Sequence, residues 1–348
     1  MNTRILSKED VKIVKGNKYV PWLIKPTTTP SSNQVKKVIV LDLDETLGSF
    51  ADLYILWRGI RQVWPTCNEF HSLFDLYPEF LRFGILTIME YLYHCKQNDK
   101  CHRILVYTNN QCSVKWVNLI CDYIETKIHR TASCADIKLF DQHICAFKIN
   151  HQQIELERTT HQKRLDDFFR CSKLSENADI CFMDDVEYPY MKSSAVYYIC
   201  PRAYIHPLST KEIINRIVSS KWLKTRMKTD ISNHIEVLTS YDYWRNWFYI
   251  HRRRMIRRGN SDVVIDLQIS QKIIFHLSEF LDFGVSNVSR CFSKKTRKKM
   301  VDNPKRKTSR IQTRKKHSFQ ISNKSPLGNR TGSDDSDCLT VLAISIGE

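Results

Sequence analysis

A chain of 348 residues with 42% hydrophobic side chains is long enough for two domains and a sizeable core, and 54 Lys and Arg against 37 Asp and Glu give a net charge of +17. No apolar run approaches the roughly 18 residues of a bilayer span, and MNTRILSKEDVKIVKGNKY lacks the charged-then-apolar pattern of a secretory leader. No membrane partner is expected, and the location reads as intracellular, nuclear or cytoplasmic. The twelve cysteines include no C-x-x-C pair and the twelve histidines are scattered, which points to reduced packing thiols rather than a disulfide frame or a zinc site.

Residues 1–35 read as an arm whose segment PTTTPSSNQ is a linker of turn formers. The chain then reads VIVLDLDETL: the apolar, mostly β-branched run Val38 to Leu41 predicts a buried strand with two carboxylates, Asp42 and Asp44, just beyond it. In extended backbone both would point to one side, and two like charges so close need a cation between them or a shared proton. The plainer alternative is a strand ending in a solvated turn. Aromatic residues crowd 48–80 (Phe50, Tyr54, Trp57, Trp64, Phe70, Phe74, Tyr77, Phe80), either as a helical flap packed on the core or as a substrate-selecting wall.

Residues 84–96 have helical periodicity, and RILVYTNNQ then repeats the first pattern, a β-prone run ending in the hydroxyl of Thr108 and the amides Asn109 and Asn110. A helix is predicted from near Ser113 with Trp116, Val117, Ile120 and Ile124 on its buried side, followed by a strand or hairpin at 139–149. ICFMDD at 180–185 is a third apolar run, ending in Asp184 and Asp185, and Val196 to Cys200 predicts a last core strand. Apolar strands separated by helix-length segments describe an α/β domain with a parallel sheet, and such sheets bind ligands beyond the carboxyl ends of their strands, where all three polar clusters fall.

DLDET at 42–46, Thr108 after a strand and the Asp184-Asp185 pair after a later one resemble the first, second and fourth motifs of the haloacid dehalogenase superfamily of aspartate-nucleophile phosphatases. Glu45, where many relatives carry Gly, makes the resemblance strongest to the RNA polymerase II C-terminal-domain phosphatases and the NLI-interacting-factor-like family. PEFLRFGILTIMEYL at 78–92 is similar to the family's Arg-Pro-Gly segment, with Phe83 in place of Pro. The resemblance covers about 36–206 and implies a Rossmann-like parallel sheet of the haloacid dehalogenase fold. It implies a Mg²⁺-dependent phosphomonoester hydrolase with Asp42 as nucleophile, Asp44 as acid and base, and Thr108, Asn109 and a lysine on the phosphate. Lys163 is the choice for that lysine, ahead of Lys148 and Lys173, because it opens an amphipathic helix (Leu165, Phe168, Phe169). The metal would be held by Asp42, Asp44 through its main-chain carbonyl, and Asp184 and Asp185, with Asp185 as the direct ligand of the pair. A phosphoserine or phosphothreonine protein, including a proline-containing phosphopeptide, is the implied substrate; a nucleic-acid 3′ end phosphatase and a non-catalytic binding module on the same fold are the alternatives.

From 207 to 288 the pattern predicts a helical extension packed on the catalytic domain, with Ser209 and Glu212 spaced for a capping box. The remainder, 289–348, reads as a disordered basic tail: residues 290–316 hold thirteen Lys or Arg against the single Asp302. Such a run suits an import receptor or non-specific nucleic-acid binding, or simply solubilises.

Overall fold

Val11 is buried, Lys12 exposed and Ile13 half-buried, the alternation of an edge strand, and they form β1 (Val11–Lys15). The structure, a computed structural model, describes residues 7, 10–15, 36–129, 137–193, 196–229, 234–252 and 262–281, all in one compact unit. The stretch read as an arm therefore contains a strand of the sheet; five residues are too short a run to stand out by periodicity. The linker at 26–34 and the basic tail lie outside the described residues.

In chain order the elements continue with β2 (Lys37–Leu41), α1 (Ala51–Val63), α2 (Phe70–Asp75), α3 (Ile85–Gln97), β3 (Arg103–Tyr107) and α4 (Val114–His129). Then come β4 (Gln142–Ile144), the two-stranded hairpin of β5 (Lys148–Ile149) and β6 (Gln152–Gln153), α5 (Leu165–Ser172), β7 (Asp179–Met183) and β8 (Val196–Pro201). The expectation of a strand or a hairpin at 139–149 is met by both, since β4 joins the main sheet and β5 starts the hairpin.

The sheet runs β1-β8-β7-β2-β3-β4, parallel except for β1, which pairs antiparallel with β8. This is a mixed α/β architecture with a mostly parallel central sheet. Val38 to Leu41 are fully buried because β2 sits between β7 and β3 with both faces covered, which is why its sequence is a continuous apolar run. Val38 and Val40 pack with Leu105, Ile180, Phe182 and α5's Phe168 on one face. On the other, Tyr197 of β8 meets Phe280 in a ring contact at 6.0 Å. The chain moves outward from β2 to β3 and β4, then returns to place β7 on β2's other side. That reversal of direction opens a crevice above the carboxyl ends of β2 and β7.

The helices beyond 207 are α6 (Thr210–Ser219), α7 (Lys221–Thr229), α8 (His234–Leu238), α9 (Tyr241–Arg252) and α10 (Val263–Phe280). Ser209 and Glu212 form the expected capping box. STKEIINRIVSSKWLKTRM, which reads as continuously helical, breaks at Ser220; that residue is extended and its hydroxyl accepts from the Leu223 amide. These helices pack against elements of the sheet domain. α9 lies on α1, where Tyr243 and Trp247 donate to the carbonyls of Gly59 and Ile55 at 2.8 Å each. α10 covers β8 and α3.

Candidate active site

The hydrogen-bond ladder runs one residue past three of the parallel strands. The amides of Asp42, Thr108 and Asp184 donate to the carbonyls of Met183, Ile144 and Ile199, which fixes all three residues at the lip of the sheet. Asp42 and Asp184 are buried, and with Asp185 they offer carboxylate oxygens that all lie within 4.8 Å of one another. Into this cluster comes Lys163, also buried, from the loop before α5. Its Nζ donates to Asp42 Oδ1 and Asp184 Oδ2, each at 2.5 Å. Burial pulls against the ammonium's charge, but the Asp184 and Asp42 carboxylates raise its pKa above the ordinary lysine value. Of the three candidate lysines only this one reaches the cluster: Lys173 caps α5 and pairs with Glu157, and the Lys148 ammonium sits over the Phe147 ring.

Asp44 accepts from Asn110 Nδ2 at 2.7 Å. Burial pushes its carboxyl up to about 7, with the charges of Asp42 and Asp185 adding to the effect. Burial likewise pushes Glu45 up to about 9 and Asp185 up to about 6. The turn between them is tightly held. Glu45 takes a left-handed conformation (φ 56°), its amide donates to the Gly48 carbonyl, and the Leu47 amide donates to that of Leu43. Arg82, buried beneath the turn, donates through Nε to the Thr46 carbonyl and through Nη2 to those of Glu45 and Arg202. The Thr46 hydroxyl then joins this turn to the other aspartate loop, donating to Asp185 Oδ1 at 2.9 Å and accepting from the Asp185 amide at 3.0 Å.

Thr108 is buried, and its hydroxyl accepts from the Asn110 amide. Asn109 is engaged on both ends of its amide, accepting from Arg158 Nη2 at 2.7 Å and donating to the Tyr188 hydroxyl at 3.1 Å. The Tyr188 ring in turn lies 5.3 Å from Lys163 Nζ. Every residue proposed from sequence is thus drawn to the same crevice. Thr46, Arg82 and Asn110 fall within the motifs and clusters read from sequence but are given no role there, and Arg158 is not singled out. Arg82 stands at the arginine of the segment similar to Arg-Pro-Gly, whereas Arg158 shows in sequence only as a charge among residues without a recognisable pattern.

The aromatic segment divides by burial. Phe50, Phe70, Phe74, Tyr77 and Phe80 are buried and pack the flap, while Tyr54 and Trp57 stay half-buried and line a cleft. What the crevice offers chemically is a set of hard oxygen donors suited to a hard dication, one cation fixed against two of them, and a carboxyl whose pKa allows proton exchange near neutrality. No protein-family model, curated protein or solved structure matches the chain.

Proposed function

We propose that the protein is a Mg²⁺-dependent phosphomonoester hydrolase acting through an aspartyl-phosphate, of the haloacid dehalogenase type and closest in character to the C-terminal-domain phosphatases. The observation that carries the reading is the buried cluster of Asp42, Asp184 and Asp185 with Lys163 Nζ 2.5 Å from two of its carboxylates. Three carboxylates that close, with only one ammonium among them, retain negative charge that a dication would neutralise. The donor set therefore fits Mg²⁺, which Asp42, Asp185, Asp184 and the main-chain carbonyl of Asp44 would hold. When bound, the metal would offset the repulsion between an anionic ester and an anionic attacker.

Asp42, at the tip of the central strand, attacks phosphorus and carries the phosphoryl group as an acyl phosphate. Asp44, with a carboxyl poised at about 7, gives its proton to the leaving alkoxide and then takes one from the water that cleaves the acyl phosphate. Asn110 orients that carboxyl. The Thr108 hydroxyl and Lys163 Nζ donate to the phosphoryl oxygens, where charge must be held in the transition state, and Asn109 fixes the neighbouring Tyr188. The substrate in this proposal is phosphoserine or phosphothreonine in a protein.

The test is hydrolysis of p-nitrophenyl phosphate by the full chain with Mg²⁺ and with chelator, beside Asp42→Asn. Turnover that requires the metal and disappears in the variant is expected. Folded wild-type protein that binds Mg²⁺ yet turns over no faster than Asp42→Asn, on this substrate and on phosphopeptides, would overturn the catalytic reading in favour of a binding module.

A further inference from the structure

Helices α1 and α4 both begin just after strand-end loops that carry site residues, and they part to leave a cleft of about 550 Å³. Its apolar walls include Tyr54 and Trp57 of α1 and Trp116 of α4. Its cations are Arg58, Arg61 and Lys115, against the single acid Asp122. A run of hydrogen bonds links the cleft to the crevice. Asn110, the residue that donates to Asp44, accepts from the Cys112 amide at 2.8 Å; Cys112 and the Tyr54 hydroxyl share a hydrogen bond; and Ser113 lines the cleft beside them.

We infer, resting on the phosphatase reading above, that this cleft receives the polypeptide flanking the phosphorylated residue, and that it selects a flank with acidic side chains beside an apolar one. The charge balance gives the sign, since three cations facing one acid favour an anionic partner. The rings decide between kinds of anion. Single-stranded nucleic acid is gripped by stacking bases on open aromatic faces. Here the Arg58 guanidinium lies over Tyr54 and that of Arg61 over Trp57, each at 5.9 Å from the ring centroid. Tyr54 meets Trp116 edge-on at 5.0 Å, Trp57 meets Phe70 edge-on at 5.3 Å, and Trp116 is only 2% exposed. Rings committed in this way make an apolar slot under a cationic rim, which suits a side chain such as Leu or Pro next to Asp or Glu. They make a poor platform for a base.

The experiment measures binding rather than turnover, so that its failure and the failure of the phosphatase reading can be told apart. Fluorescence anisotropy would follow the full chain titrated into two labelled phosphoserine peptides, one with Asp and Glu around a leucine on its flank and one with those acids replaced by Gln. Wild type should bind the acidic peptide about tenfold more tightly, and Arg58→Glu combined with Lys115→Glu should abolish the preference. Lys115→Glu alone, at an exposed position, should remove part of it without endangering the fold. Equal affinity for the two peptides, or a preference untouched by either variant, would overturn the inference. So would a single-stranded oligonucleotide of equal charge displacing the acidic peptide at lower concentration, which would assign the cleft to nucleic acid. Loss of p-nitrophenyl phosphate turnover would count against the catalytic mechanism alone.

Discussion

With its Nζ 2.5 Å from both Asp42 and Asp184, Lys163 is the shared counter-charge of two carboxylates that water hardly reaches. Taking away one member of a buried ionic cluster leaves the others uncompensated, at a cost of about 3–5 kcal/mol. Lys163→Ala should therefore lose stability of that order in urea unfolding, and a loss below about 1 kcal/mol would mean the carboxylates have another source of compensation. Arg82 is buried for a different purpose: it spends its donors on main-chain carbonyls and so shapes the turn that presents Asp42 and Asp44. Burial holds its pKa down to about 10. At this scale the sequence was legible wherever a polar residue follows an apolar run, as at Asp42, Thr108 and Asp184. Lys163 was found because it precedes an amphipathic helix. The roles of Arg82 and Asn110 were not, because they lie in partners far along the chain: Arg82 meets a carbonyl at 202, and Asn110 meets a carboxylate 66 residues away.

Among the elements, the seat of α9 on α1 depends on the absence of a side chain. A Cβ at Gly59 would stand 2.5 Å from the Trp244 ring and 2.9 Å from Trp247 Nε1. Trp244 is fully buried and also donates to the Leu238 carbonyl, so it has little room to yield. Gly59→Val should cost about 1–3 kcal/mol through overpacking, more than any gain in helix propensity returns. Chemical denaturation reads this directly, and an unchanged midpoint would show that α9 can shift away from α1. The strands β2, β3, β7 and β8 could be placed from sequence because strands covered on both faces must be apolar along their whole length. β1 could not, since an edge strand of five residues, two of them lysines, is too short to show a pattern. The contact between Gly59 and Trp244 was equally hidden, because close approach between distant segments leaves no local pattern in either.

Taken whole, the molecule concentrates acidity at one lip of the sheet while its net charge is strongly positive. If Mg²⁺ binds there, it must stabilise the folded unit by mass action. At a hundredfold excess over Kd the gain is about 2.7 kcal/mol, or roughly 5–10 °C in Tm for a domain of this size. Thermal unfolding with Mg²⁺ and with chelator should show that rise, and Asp42→Asn combined with Asp185→Asn should remove it. Identical transitions in wild type would indicate that Lys163 alone balances the cluster. The α/β class was readable from the alternation of strands and helix-length segments, whereas the position of β7 beside β2 was not, because strand order is a property of the assembled sheet.

That strand order has a consequence for how the protein is made. Lys37 of β2 lies opposite Asp179 of β7, and Asp42 and Asp184 meet only when those strands pair. Contacts so far apart in sequence close late and slowly, and β7 needs β8 on its other side, where Met183 faces Ile199. A nascent chain still lacking β8 can hold the first two aspartates on a formed strand and have no cluster at all. The complete acidic site therefore requires that synthesis has passed Asp185, and the strand that flanks β7, ending at Pro201, follows only after that.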